Sequence, residues 1–90
     1  MPVKIRVYGL LRMLINESPI SMDFPGGSLA DLVDRLSRER SEEFRKELLD
    51  DEGNLDYAYM VMVGGERVTD IRAPIKPDDE VVITSMLAGG

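Results

Sequence analysis

The chain has no cysteine and no histidine among its 90 residues. The first absence excludes disulfides, cysteine-ligated zinc, iron–sulfur clusters and a thiol nucleophile. The second removes the commonest general base and metal ligand. No apolar run approaches the ~18–20 residues needed to span a bilayer, and Met1-Pro2-Val3-Lys4 passes directly into a strand pattern without a signal-peptide core. A cytoplasmic protein with no membrane partner is expected. A phosphate-binding Gly-x-x-x-x-Gly-Lys-Ser/Thr is also missing, so any nucleotide chemistry must come from another protein. The remaining carboxylates and lysines form no pair with a clear catalytic setting. The chain is expected not to be an enzyme, and to bind no cofactor or metal.

At 43% hydrophobic and 31% charged residues, the chain is expected to fold as one domain, 1–90, around a small single core. The net charge of −6 argues against nucleic acid and fits partners with basic faces.

Val3, Ile5 and Val7 alternate with Lys4 and Arg6, the period of a half-buried strand that Gly9 ends. The dense stretch Leu10-Leu11-Arg12-Met13-Leu14-Ile15 suits a helical turn, with Leu10/Leu14 and Leu11/Ile15 as its apolar pairs. Ile20, Met22 and Phe24 mark a second strand, antiparallel to the first. Ser28, with Asp31 three residues on, is a helix N-cap. From there Leu29, Leu32, Val33 and Leu36 give a buried stripe over 28–40, while Asp34, Arg35, Ser37 and Arg38 face water.

Residues 41–56 read as a helix-and-loop insertion: Ser41 as cap, Phe44 and Leu48 as apolar contacts, then an acidic loop. That loop lacks the calcium-binding pattern, because Leu55 stands where the sixth-position glycine would be. Asp78, Asp79 and Glu80 read as a turn and strand start. Residues 57–63 form a third strand, Gly64-Gly65 a tight hairpin turn and Glu66-Arg67-Val68 the return. Pro74 and Pro77 exclude a central strand between 70 and 79, and 81–86 make the last strand.

A hairpin, a crossing helix and a terminal strand beside the first describe an α+β domain of β-grasp plan, a mixed sheet of four or five strands with one long helix on one face. The handedness of crossovers puts the last strand parallel to the first, in the sheet centre. With Val61, Val63, Val81 and Ile83 turned to the helix, Met60, Met62, Val82, Thr84 and Met86 share the other face. That face is expected to bind a partner. Two arrangements would remove it: a register shift of one residue, or residues 41–56 folded across it.

The chain then runs through Leu87 and Ala88 to Gly89-Gly90. Fully extended, these four residues reach about 13–14 Å. A slim projecting tail of this kind, 87–90, is expected to be flexible and to offer the Gly90 carboxylate to another protein. A carboxylate is inert to nucleophiles until activated, for instance as an acyl-adenylate.

Three stretches carry a resemblance to a known family. They are Tyr8-Gly9-Leu10-Leu11-Arg12 after the first strand, Val63-Gly64-Gly65-Glu66-Arg67-Val68 at the hairpin, and Ile75-Lys76-Pro77-Asp78-Asp79-Glu80-Val81 before the terminal Gly89-Gly90. In these the chain resembles the MoaD/ThiS ubiquitin-like sulfur carriers, and is similar above all to the molybdopterin synthase small subunit. The resemblance implies that a ubiquitin-activating-like enzyme adenylates Gly90 with ATP and that sulfur transfer gives a thiocarboxylate. It further implies a sulfur acceptor, either the large molybdopterin synthase subunit or a tRNA-thiolation system. Gly89 would be the slim neighbour of the acyl site, with Met86, Leu87 and Ala88 completing the inserted tail. Conjugation of Gly90 to lysines, as in a protein modifier, needs the same activated glycine. Ser85-Met86-Leu87-Ala88 departs from the proline-rich tails of many relatives.

Overall fold

A computed structural model describes residues 2–86. In chain order the elements are β1 (Val3–Val7), α1 (Leu11–Leu14), β2 (Ile20–Met22), β3 (Gly27–Ser28), α2 (Leu29–Glu39), α3 (Glu42–Leu48), β4 (Tyr59–Val63), β5 (Glu66–Val68), β6 (Pro74–Ile75) and β7 (Glu80–Ser85). Five strands form one mixed sheet in the order β2-β1-β7-β4-β5, so the last strand is the central one. It runs parallel to β1, with Ile5 beside Val81 and Val7 beside Ile83, and antiparallel to β4, with Val61 beside Ile83. β3 and β6 pair in a separate two-stranded ribbon, which places Pro74 away from the main sheet.

Alternation in the strands translates directly into a core. Val3, Ile5, Val7, Ile20, Val61, Val81 and Ile83 are buried on one side of the sheet and meet Leu29, Leu32, Val33 and Leu36 of α2. The start of α2 is fixed by a reciprocal pair: Asp31 N–H donates to Ser28 Oγ at 3.1 Å, and Ser28 N–H donates to Asp31 Oδ2 at 3.0 Å. The Ser28 amide above all, and then the Ser28 hydroxyl, hold the Asp31 carboxyl below the usual carboxylate range. The β4–β5 turn has two residues, Gly64 at φ 59° and Gly65 at φ 86°, between the paired Val63 and Glu66. Two consecutive left-handed residues are what a type I′ hairpin requires.

Residues 41–56 lie on the helical side. α3 packs against α2 and α1, and Phe44 and Leu48 are fully buried in the main core. The far face of the sheet is therefore not covered by this segment. Its loop is closed by Asp50, whose Oδ1 accepts from Glu52 N–H and Asn54 N–H, both at 2.9 Å.

Four local expectations change. Ser37 is buried rather than facing water, because α3 folds over it; its hydroxyl donates to the Ser41 and Glu42 carbonyls at 3.0 and 3.2 Å. Ser41 occupies the N-cap position of α3 but makes no side-chain capping bond. β4 starts at Tyr59 rather than Tyr57, since Asp56 accepts from the amides of Ala58 and Tyr59 and holds 56–58 in a turn. Of the dense stretch after β1, Leu11 and Ile15 enter the core, whereas Leu10 and Met13 are exposed.

Candidate partner-docking site

The register settles which side chains share the open face. Met60 lies opposite Thr84 and Met62 opposite Val82 across the β4–β7 ladder, while Val82 lies beside Arg6 of β1 and Met62 opposite Arg67 of β5. All four of the predicted apolar or hydroxyl positions, Met60, Met62, Val82 and Thr84, are half-buried, and Met86 is exposed. They form a strip down the sheet centre, bordered by longer polar side chains. The predicted Leu87, Ala88, Gly89 and Gly90 lie outside the described residues.

Charge on this face runs against the sign of the whole chain. Lys4, Arg6 and Arg67 share it with Glu80. Arg6 Nε donates to Glu80 Oε2 at 3.0 Å, which raises the guanidinium pKa further. Lys4 and Arg67 make no ion pair among the described residues. Most carboxylates instead belong to the helices and the 50–56 loop, so the net charge of −6 does not describe this surface.

The end of the sheet where β7 stops holds a second group of residues. Because β1 and β7 run parallel, the end of β1, residues 8–10 and α1 are gathered beside Ser85 and Met86. The antiparallel β4 adds its own beginning, residues 56–58. Met86 N–H donates to the Ala58 carbonyl at 2.7 Å, and Tyr8 N–H donates to Ile83 O at 2.9 Å. The large apolar side chains that are exposed among the described residues all gather here: Tyr8, Leu10, Met13, Tyr57 and Met86. Tyr57 is 92% and Met13 79% exposed. Sequence reasoning picked only Met86 of these, because the others come from two segments, 8–13 and the turn at 56–58, that only the fold brings to it.

Beside this apolar group runs a groove between α3, the acidic loop and the sheet end. Leu10 and Ala58 line it together with Lys46, Glu47, Asp50, Asp51 and Asp56. Glu47 is fixed by the phenol of Tyr59, which donates to its Oε1. Burial, helped by Glu47, pushes the Tyr59 hydroxyl up to about 12. Asp50 and Asp56 are occupied by backbone amides of their own turns. Arg12, the arginine of the Tyr8–Arg12 stretch, donates to the Ile15 carbonyl at 3.1 Å and closes α1.

A mixed sheet with parallel first and last strands at its centre, and helices on one face, is a β-grasp domain of the ubiquitin-like kind. No protein-family model and no curated protein matches the sequence. Solved structures do match. SAMP1 of Haloferax volcanii, a small archaeal modifier protein, is similar over 100% of this chain and 100% of its own, with a TM-score of 0.81 and 16% identity. A candidate molybdopterin converting factor subunit 1 from Pyrococcus furiosus is similar over 94% of this chain and 97% of its own, with a TM-score of 0.73 and 22% identity. A chain of the Amycolatopsis orientalis BexX/CysO complex is similar over 98% of this chain and 99% of its own, with a TM-score of 0.76 and 23% identity. At such identities the likeness is one of fold.

Proposed function

We propose that this protein is a ubiquitin-like sulfur carrier whose Gly90 carboxylate is activated and thiolated by a partner. The observation that supports this most is the position of β7: the central strand of the sheet ends at Ser85, and the next residue, Met86, is tied to Ala58 at the sheet end. Residues 87–90 therefore begin at a firmly held point. The partner transfers AMP from ATP to the Gly90 carboxylate and releases pyrophosphate. A sulfur nucleophile then displaces AMP, leaving sulfur in place of one carboxylate oxygen. The acceptor we favour is the large subunit of a molybdopterin synthase. The likeness to the Pyrococcus molybdopterin converting factor subunit is consistent with that reading.

A second reading is conjugation of Gly90 to lysines, and the full-length likeness to an archaeal modifier protein favours it. The two are separated by intact mass of the protein isolated from its own host before any reduction or alkylation. A carrier gives a species heavier by the exchange of one oxygen for sulfur, placed on Gly90 by fragmentation. A modifier gives Gly90 in isopeptide linkage to other proteins. Gly90 found only as an ordinary carboxylate, with no conjugates, would refute both. Deleting Gly90, or changing Gly89→Ile, is expected to abolish both products while the thermal midpoint stays within about 2 °C, a stability change of about 0.5 kcal/mol or less.

A further inference from the structure

We infer that Lys46 is an acceptor for the chain's own Gly90 acyl group, so that activation of the tail opens a route to a ring closed between residues 46 and 90. The inference rests on the reading of Gly90 as the group a partner activates. The chain has three lysines, Lys4, Lys46 and Lys76, and the fold brings one of them to the tail. Tyr59 is the cross-strand partner of Ser85, and its phenol donates to Glu47, the residue after Lys46. One tyrosine side chain therefore spans the gap from the last strand to α3, and Lys46 and Ser85 line the same groove. From Met86, four residues extend about 13–14 Å, enough to cross that gap. The Lys46 side chain is 74% exposed, and its Nζ stands 4.0 Å from Glu43 Oε1, a surface contact too weak to hold it back.

The other two lysines sit at the far end of β7. Lys4 lies beside Glu80, and the Lys76 amide donates to Asp79 Oδ2 at 2.8 Å. The strand between, Glu80–Ser85, at about 3.3 Å per residue, puts that end about 20 Å from Met86. To meet either amine the tail would have to double straight back along the sheet at full stretch. The step at Lys46 is an ordinary acyl transfer. The neutral Nζ adds to the Gly90 carbonyl carbon, the C–O bond to AMP breaks, and AMP leaves with the electron pair. The nitrogen gives one proton to water. The product is an amide, lighter than the free chain by one water. Two groups joined by a short tether meet at an effective concentration on the order of 1 mM, so Lys46 competes with any sulfur nucleophile or foreign lysine that reaches the activated tail slowly. A ring-closed chain has no free Gly90 to donate.

The test uses the full chain with a small-thiol thioester in place of the Gly90 carboxylate, so that no partner is needed. At mildly alkaline pH, intact mass should show first-order formation of the ring, at a rate independent of chain concentration, with fragmentation placing the bond between Lys46 and Gly90. Lys46→Arg keeps the charge and is expected to cut ring formation at least tenfold, leaving hydrolysis. Lys4→Arg and Lys76→Arg should each stay within twofold of the parent. In urea the preference should pass to Lys76, the lysine nearest to Gly90 in sequence. Thermal unfolding of each variant checks that it is folded. If the parent thioester only hydrolyses, or closes at an amine other than Lys46, the inference is wrong and the Gly90 reading stands, since the thioester was made chemically. A rate that rises with chain concentration would put the acceptor on a second copy and overturn the ring. Failure of the Gly90 reading shows separately: chain isolated from its host that carries no thiocarboxylate, conjugate or ring at Gly90 would overturn the ring as a cellular product, whatever the synthetic thioester does.

Discussion

Replacing Gly9 by alanine tests how the end of β7 is held. Gly9 has φ +74°, and a Cβ built there would stand 3.0 Å from the Ser85 Cβ and 3.5 Å from its amide nitrogen. Two costs follow. A side chain in the left-handed region costs about 1–2 kcal/mol. The close contact adds about 1–2 kcal/mol, because overpacking is relieved only if a neighbour moves. Ser85 has little room to move: it pairs with Tyr59 across the ladder, and Tyr8 N–H and Met86 N–H secure the strand on either side. The Gly9 carbonyl is held too, since it accepts from Arg12 N–H at 3.1 Å at the start of α1.

The expected loss is therefore about 2–4 kcal/mol, large against the 5–15 kcal/mol typical of a small domain. Urea unfolding monitored by circular dichroism would measure it. A double-mutant cycle with Ser85→Gly separates the two costs: the contact part should reappear as a favourable coupling of about 1 kcal/mol, while the backbone part persists. A loss below about 0.5 kcal/mol in Gly9→Ala would refute the reasoning outright. A large loss with no coupling would leave the φ angle as its whole cause.

Phe44→Ala should cost about 3–5 kcal/mol in urea, as for other fully buried phenylalanines; a cost under 1 kcal/mol would show α3 to be an appendage rather than part of the core. Met62→Asp, on the half-buried open face, is expected to weaken binding of a sulfur-accepting partner tenfold or more while costing less than about 2 kcal/mol; titration calorimetry against that acceptor and urea unfolding together would reveal the reverse order if the strip is structural. Tyr59 predicts an alkaline limit. Its folded pKa of about 12 lies above the unfolded value of about 10, so the native state keeps a proton that the unfolded chain has lost. That stability is fully present below about pH 10 and falls as pH rises towards 12, by roughly 1–2 kcal/mol. Urea midpoints between pH 9 and pH 12 should show the slope, and Tyr59→Phe should remove it.

The parts legible in the sequence are those that local rules decide. Ser28 with Asp31, the Gly64-Gly65 turn, and the alternation through Val3, Ile5 and Val7 each determine a conformation within a few residues. Ser37 and Met13 were not legible, because a helical wheel gives the face a residue occupies but not what lies above it. Ser37 is covered by α3, and Met13 has nothing above it. The turn at 56–58 was masked by the strand propensity of Tyr57, which Asp56 overrides through two backbone amides. The acidic groove was hidden for a different reason: Asp50 and Asp51 read as a solvated loop until Leu10 and Ser85 are placed beside them.

The site's composition follows from one topological fact. Parallel strands end together, so pairing β1 with β7 brings residues 8–13 to the place where residues 87–90 begin, though more than seventy positions separate them. Antiparallel pairing of the same strands would have left Tyr8, Leu10 and Met13 at the end occupied by Asp78 and Asp79. The crossover rule that predicts the parallel pair from sequence thus also predicts that anything following β1 becomes part of the surroundings of Met86. Read that way, the apolar residues after Gly9 divide into two sets. Leu11 and Ile15 face the core. Leu10 and Met13 do not, and their side chains lie exposed near the end of the last strand.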